Sequence, residues 1–138
     1  MDATYATTAH ATGDGRDGHV QTDDGLVDMD LRIPKEMGGQ GGAANPEQLF
    51  AAGYAACFHS ALKVVGRERN ADVTGTEVSV TIGIGPRPGG AFGLGAEIDV
   101  HIPGADAATA QELAERAHEV CPYSNATRGN MEVQLTIV

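Results

Sequence analysis

Between Val27 and Ile33 apolar and polar residues alternate strictly, with Val27, Met29, Leu31 and Ile33 set against Asp28, Asp30 and Arg32. A period of two places one face of a strand inward and the other in water, and Pro34 ends the run. The same alternation returns at Val78, Val80, Ile82 and Ile84, and again at Leu94, Ala96, Ile98, Val100 and Ile102 against Glu97, Asp99 and His101. The intervening Pro86-Arg87-Pro88-Gly89-Gly90 predicts a hairpin with one wet face. Val133, Leu135 and Ile137 predict a last strand. Upstream, Thr4 to Thr12 is weakly strand-like and His19 to Thr22 reads as a further strand. The glycine-rich turn Gly13 to Gly18 joins them with Arg16 at its tip, and Asp23-Asp24-Gly25 is a second tight turn.

Two segments break this pattern. From Asn45 a helix is predicted to about Arg67: Asn45 can cap it, Pro46 suits the first helical position, and Gln48 completes a capping-box pattern. The residues that follow are so uniformly apolar and small that the helix is expected to be buried nearly all round. A second helix starts at Asp106 and ends at Cys121, stopped by Pro122, with Leu113, Ala117, Val120 and Cys121 on one face and Glu112 placed to pair with Arg116. The order β-β-β-α-β-β-α-β in 138 residues predicts one α+β domain over 1–138. Gly39-x-Gly41-x-x-Ala44 formally matches a dinucleotide fingerprint, but it precedes the helix cap and has no βαβ context.

Composition narrows the function. The net charge of −10, with only two lysines, argues against nucleic-acid binding, which needs Lys and Arg at phosphates, and disfavours an anionic membrane surface. With 4% aromatics and no Trp, the core must come from Ala, Val, Leu and Ile. Residues 1–5 carry neither a basic nor an apolar region of a signal peptide, and no run looks long enough to span a bilayer, so a cytoplasmic protein is expected. In that compartment a disulfide is more often catalytic than structural.

The only cysteines are Cys57, inside the central helix, and Cys121. Cys57 reads either as a small buried hydrophobe or as a redox thiol, and the second requires a lowered pKa and a resolving partner. Being mid-helix, it gains little from the helix dipole. Lowering a thiol from roughly 8.5 by about 2 units takes about 2.7 kcal/mol, within the reach of a guanidinium about 4 Å away at an effective dielectric near 20. Arg16 is a candidate, although a hairpin arginine can equally be a solvated one. Glu47 either complements the helix N-terminus or orients Arg16. Glu47 precedes Cys57 by ten residues, which is about 15 Å of helix axis with the two side chains about 80° apart. If a site combines them, one must come from a second chain. Phe50, Phe58 and Phe92 can line an apolar pocket or simply fill the core. A metal-thiolate site using His59 and Cys121 lacks ligand spacing among the five histidines. A non-catalytic module binding a hydrophobic ligand is a further alternative.

The segment Asn45 to Leu62, together with Cys121-Pro122-Tyr123-Ser124-Asn125-Ala126-Thr127-Arg128-Gly129-Asn130, closely resembles the organic hydroperoxide resistance (Ohr) branch of the Ohr/OsmC family. The similarity runs from Ala11-Thr12-Gly13 and Arg16 to the last strand. The resemblance implies an OsmC-like α+β fold, with antiparallel sheets around a long buried central helix plus a second helix, in an intertwined homodimer with interfacial active sites. It implies a thiol-dependent peroxidase for organic and lipid hydroperoxides, with the OsmC type of broader specificity as the neighbouring possibility. Cys57 matches the peroxidatic cysteine, Cys121 the resolving one, and Arg16 and Glu47 the pair that activates the thiol. It further implies no resident cofactor or metal, and a dihydrolipoyl group on a partner protein as reductant.

Overall fold

The structure is a computed structural model that describes residues 2–138. It is α+β, and contacts divide it into two compact units, the residues up to Leu49 and Phe50–Val138. The first unit is an antiparallel meander of β1 (Ala9–Asp14), β2 (Asp17–Thr22) and β3 (Asp28–Asp30). Its first strand begins later than the sequence predicts and runs on into the glycine segment, so that only Gly15 and Arg16 remain as the loop. The reason is packing: Gly13 and Gly18 pair across the ladder, and a Cβ on Gly18 would lie 2.1 Å from the Thr12 carbonyl oxygen. These glycines permit close strand approach, while Gly15, at φ 63°, makes the turn.

The alternation through Ile33 predicts a longer third strand than the three residues observed. The Leu31 N–H still donates to the Gly18 carbonyl of β2 at 2.9 Å, but from there the chain turns to the following loop: Leu31 bridges to Ala44, the Arg32 N–H donates to the Ala44 carbonyl at 2.9 Å, and the Gly41 N–H donates to the Ile33 carbonyl at 2.9 Å. Helix α1 (Pro46–Glu68) then opens on the predicted capping box. The Gln48 N–H donates to Asn45 Oδ1 at 2.9 Å and the Asn45 N–H to Gln48 Oε1 at 3.1 Å.

In the second unit β4 (Glu77–Pro86) and β5 (Phe92–His101) form the predicted hairpin, and the alternating residues pair one to one: Val78 with Val100, Val80 with Ile98, Ile82 with Ala96, Ile84 with Leu94. Helix α2 (Ala107–Val120) is capped by Asp106, which accepts from the Thr109 N–H at 2.8 Å. A short α3 (Pro122–Thr127), which the sequence pattern does not predict, leads to β6 (Glu132–Ile137). β6 joins β5 in parallel, so the sheet is mixed rather than antiparallel. The crossover through α2 and α3 returns the chain to the same end of the sheet, which a hairpin cannot do.

The core gathers Tyr54, Phe58, Leu62 and Val65 of α1 with Ile98 and Val100 of β5 and Leu113, Ala114 and Ala117 of α2. The expectation that α1 is buried all round is corrected: Ala52, Ala56, Ser60 and Val64 form an exposed stripe. Alanine accounts for much of the apolar composition there, and it tolerates either face of a helix. By length and composition α1 is also long and apolar enough to cross a membrane, contrary to the expectation from sequence, but its large side chains pack in the core. The predicted Glu112–Arg116 pair does not form. Arg116 binds Glu119 at 2.6 Å, and Glu112 binds Arg69.

Candidate active site

Cys57 is half-buried on α1, one turn after Gly53. Cys121 is fully buried at a corner that closes one helix and opens the next. Its N–H donates to the Ala117 carbonyl at 2.9 Å, its own carbonyl accepts from the Asn125 N–H at 2.9 Å, and Pro122, lacking an N–H, starts α3. This corner brings the two sulfurs to 3.7 Å, with the Cys121 S–H donating to Cys57. Both cysteines are free thiols. Burial pushes the Cys57 thiol above its ordinary value and the neighbouring Cys121 adds to the rise, while a hydrogen bond from the Tyr123 backbone N–H works the other way. In the second unit, then, the thiol is placed for disulfide chemistry but is not ionised by its surroundings.

The charge pair lies in the first unit. Arg16 and Glu47 meet in a bidentate fork, Nη1 to Oε2 at 2.8 Å and Nη2 to Oε1 at 2.7 Å. The fork holds the Glu47 carboxyl below the usual carboxylate range against the opposing effect of partial burial, and raises Arg16. Glu47 is the only acid in the first turn of α1, where the helix dipole also favours its charge. The guanidinium is therefore ionised, oriented and still partly exposed.

Tyr123 packs against α1. Its ring lies 5.7 Å from that of Tyr54 and 6.0 Å from that of Phe50, and a Cβ at Gly53 would approach its hydroxyl to 3.0 Å. Gly53 thus makes room for the residue whose N–H reaches Cys57. Phe50 and Tyr123 also border an open cleft of about 950 Å³, lined further by Ile84, Phe92, Leu94 and Met131. Neither sulfur lines this cleft; it adjoins them through Tyr123. Of the three phenylalanines that could line a pocket or fill the core, Phe50 and Phe92 line the cleft and Phe58 is fully buried core. His59 shares a hydrogen bond with Thr76 Oγ1 at 2.9 Å.

A polar chain runs behind Cys121. The Tyr54 hydroxyl bonds Ser124 Oγ at 2.9 Å and lies 3.3 Å from Thr127 Oγ1, and Ser124 Oγ bonds His118 Nδ1 at 2.8 Å. Burial, aided by Arg128, holds His118 below the usual histidine range.

Comparison with known proteins places this geometry. The model of the OsmC-like protein family matches residues 39–136. An organic hydroperoxide resistance protein of Xanthomonas axonopodis pv. citri is 52% identical over 134 residues, covering 94% of this chain and 93% of that one. The chain belongs to the OsmC-like family. A crystal structure of an organic hydroperoxide resistance protein from Legionella pneumophila, 48% identical, superposes with a TM-score of 0.94 over 99% of this chain and 98% of that one. The organic hydroperoxide resistance protein OhrB of Bacillus subtilis, 42% identical, gives 0.89 over 99% and 100%. The α+β OsmC-like fold and the resemblance read from the two cysteine segments are thus borne out.

Within this OsmC-like chain the structure brings Cys57 to Cys121 and Arg16 to Glu47, as two separate pairs. The sequence pattern misses Gly53, the N–H of Tyr123, and the Tyr54–Ser124–His118 chain. Pro122, read as a helix stop, also signals a helix start, and with it α3 and its inward Ser124 could have been found.

Proposed function

We propose that this chain is a thiol-dependent peroxidase that reduces organic hydroperoxides to alcohols. The names of its relatives support a role in resistance to organic hydroperoxides. The observation that carries the mechanism is the 3.7 Å approach of two free sulfurs. The Cys57 thiolate attacks one oxygen of the O–O bond. Sulfur is oxidised to a sulfenic acid, the O–O bond breaks, and the alkoxide leaves and takes a proton to become the alcohol. The Cys121 thiol then attacks that sulfur, forming the disulfide and releasing water. An external dithiol restores both thiols by exchange. We assign this last role to a dihydrolipoyl group on a partner protein, with no cofactor resident on the chain and the reaction running in the cytoplasm.

Because burial raises the Cys57 thiol, the first step needs a cation, and we assign Arg16, held by Glu47. It would stabilise both the thiolate and the charge on the leaving oxygen. The ten-residue spacing of Glu47 and Cys57 on one helix favours delivery of the Arg16–Glu47 pair by a second subunit, hence a homodimer with interfacial sites. The cleft beside Tyr123 has an apolar wall of Phe50, Ile84, Leu94 and Met131, which suits the carbon chain of an alkyl or lipid hydroperoxide, and a polar rim that includes Arg87 and Glu132. The same cleft favours a second reading, a module that binds a hydrophobic ligand without chemistry.

Peroxide consumption with a lipoyl dithiol separates them. The peroxidase reading expects no turnover from Cys57→Ser. It expects Cys121→Ser to form sulfenic acid once and then fail to turn over with dithiols. Full turnover by Cys57→Ser would overturn it, and a wild-type thiol that reacts with alkylating agents only at the pH of a free cysteine would favour the binding module.

A further inference from the structure

We propose that Tyr54, Ser124 and His118 are positioning residues for the second chemical step, the attack of Cys121 on oxidised Cys57. This rests on the peroxidase reading above. Disulfide formation must shorten the contact between the sulfurs from 3.7 Å to about 2.05 Å. The rate of that closure depends on how firmly the Cys121 corner is held against α1, since intramolecular steps gain their speed from placement.

Two sets of hydrogen bonds, through Ser124 and through Arg128, hold the corner. Tyr54 of α1 and His118 of α2 both bond Ser124 Oγ on α3, three residues beyond Cys121. The Tyr54 hydroxyl also lies 3.3 Å from Thr127 Oγ1 at the end of α3, a packing contact rather than a hydrogen bond once both protons are donated elsewhere. Arg128 donates to the His118 carbonyl at 2.7 Å and to Asn125 Oδ1 at 2.7 Å, fastening the far end of α3 back onto α2. Tyr54 and Ser124 are completely buried, so water does not compete for these bonds. With Nδ1 of a neutral His118 as acceptor, donation runs from Tyr54 to Ser124 to His118, while the Thr127 hydroxyl donates to the Ser124 carbonyl at 3.2 Å. Every hydroxyl then has a partner, and among the described residues no buried side-chain polar atom is left without one. None of these three side chains bonds either sulfur; they act through the backbone that carries Cys121.

The test separates the two steps by stopped flow. Oxidation of Cys57 is followed as a function of hydroperoxide concentration, and disulfide formation as the subsequent, concentration-independent phase. Tyr54→Phe keeps the ring and removes only the hydroxyl. It is expected to leave the oxidation rate within about twofold of wild type and to slow disulfide formation about tenfold, the scale of a modest loss of placement. The Cys57–Cys121 reduction potential should rise by about 30 mV if the equilibrium falls tenfold in parallel. Ser124→Ala, which cuts both bonds, should do at least as much and serves if Tyr54→Phe does not fold. Equal rates and potentials in the folded variants would overturn the inference, as would an equal fall in both steps, the mark of a merely structural role. A wild-type protein that forms no disulfide would instead remove the peroxidase reading and this inference with it.

Discussion

Each of the two units of this chain is ordered internally by a different kind of force. In the second, aromatic and branched residues of α1, β5 and α2 make one continuous buried core. In the first, Leu31 is the one fully buried hydrophobic residue among those described, and every residue of β1 is exposed. What orders the first unit is polar: the Arg16–Glu47 fork, His19 between Asp28 and Asp30 at 2.7 and 2.8 Å, and Asp17 accepting from the Ile33 N–H at 2.9 Å. The apolar unit fixes where sulfur sits; the polar unit carries the charge that the proposed sulfur chemistry would use. A three-stranded sheet without a core of its own is marginal in water, so the first unit is also where variation in sequence should change function more than stability.

The largest effect expected is on stability, in the second unit. Phe58→Ala removes a fully buried ring and should cost about 3–5 kcal/mol in chemical denaturation. An effect below about 1 kcal/mol would break the contrast between the units. Next comes Arg16→Met, which should lower peroxidase kcat/KM by about 10²-fold or more, by analogy with loss of a charge-stabilising donor. Its stability should change by less than about 1 kcal/mol, because the fork is partly exposed and screened. A large stability loss with activity retained would reverse the assignment of roles.

Smaller effects distinguish the units by pH. His19 is raised above 6.5, first by its hydrogen bond to Asp30 and then by that to Asp28. Its contribution is therefore complete below pH 6.5 and is lost as pH rises through the folded value. His118 is lowered from 6.5 by burial, so the unfolded chain takes up a proton first and stability falls as pH drops below 6.5 toward the folded value. Proton NMR of the two imidazoles should show these opposite displacements, and His19→Gln should abolish only the loss on the alkaline side. Displacements of the same sign would show that the contrast does not extend to protonation. The smallest effect belongs to Arg116–Glu119, an exposed i,i+3 pair. Glu119→Gln should change stability by less than about 0.5 kcal/mol.

The same division governs what the sequence makes legible. Where residues answer to a local rule they are read directly. The β4–β5 faces follow from a period of two, and the Asn45–Gln48 box from a spacing of three. The family resemblance supplies the four residues proposed for the site. What stays hidden depends on partners distant in the chain: the parallel pairing of β6, Arg69 rather than Arg116 beside Glu112, and the meeting of Tyr54 with Ser124, 70 residues away. The glycines of the first hairpin mislead for a related reason. Gly18 is demanded by the Thr12 carbonyl across the ladder and not by a bend in its own segment. Likewise, the exposed stripe of α1 at Ala52, Ala56, Ser60 and Val64 is not encoded by a run of small apolar residues that suits either face of a helix.

Adding one equivalent of an alkyl hydroperoxide to the reduced protein, then mapping thiols and disulfides by peptide mass spectrometry, tests the pairing of the two sulfurs most directly. The expected result is simultaneous loss of both free thiols and a single peptide pair linked through Cys57 and Cys121, lighter by two hydrogens. Two unreacted thiols after the peroxide has been consumed, or a Cys57 oxidised to sulfinic acid beside an untouched Cys121, would contradict it.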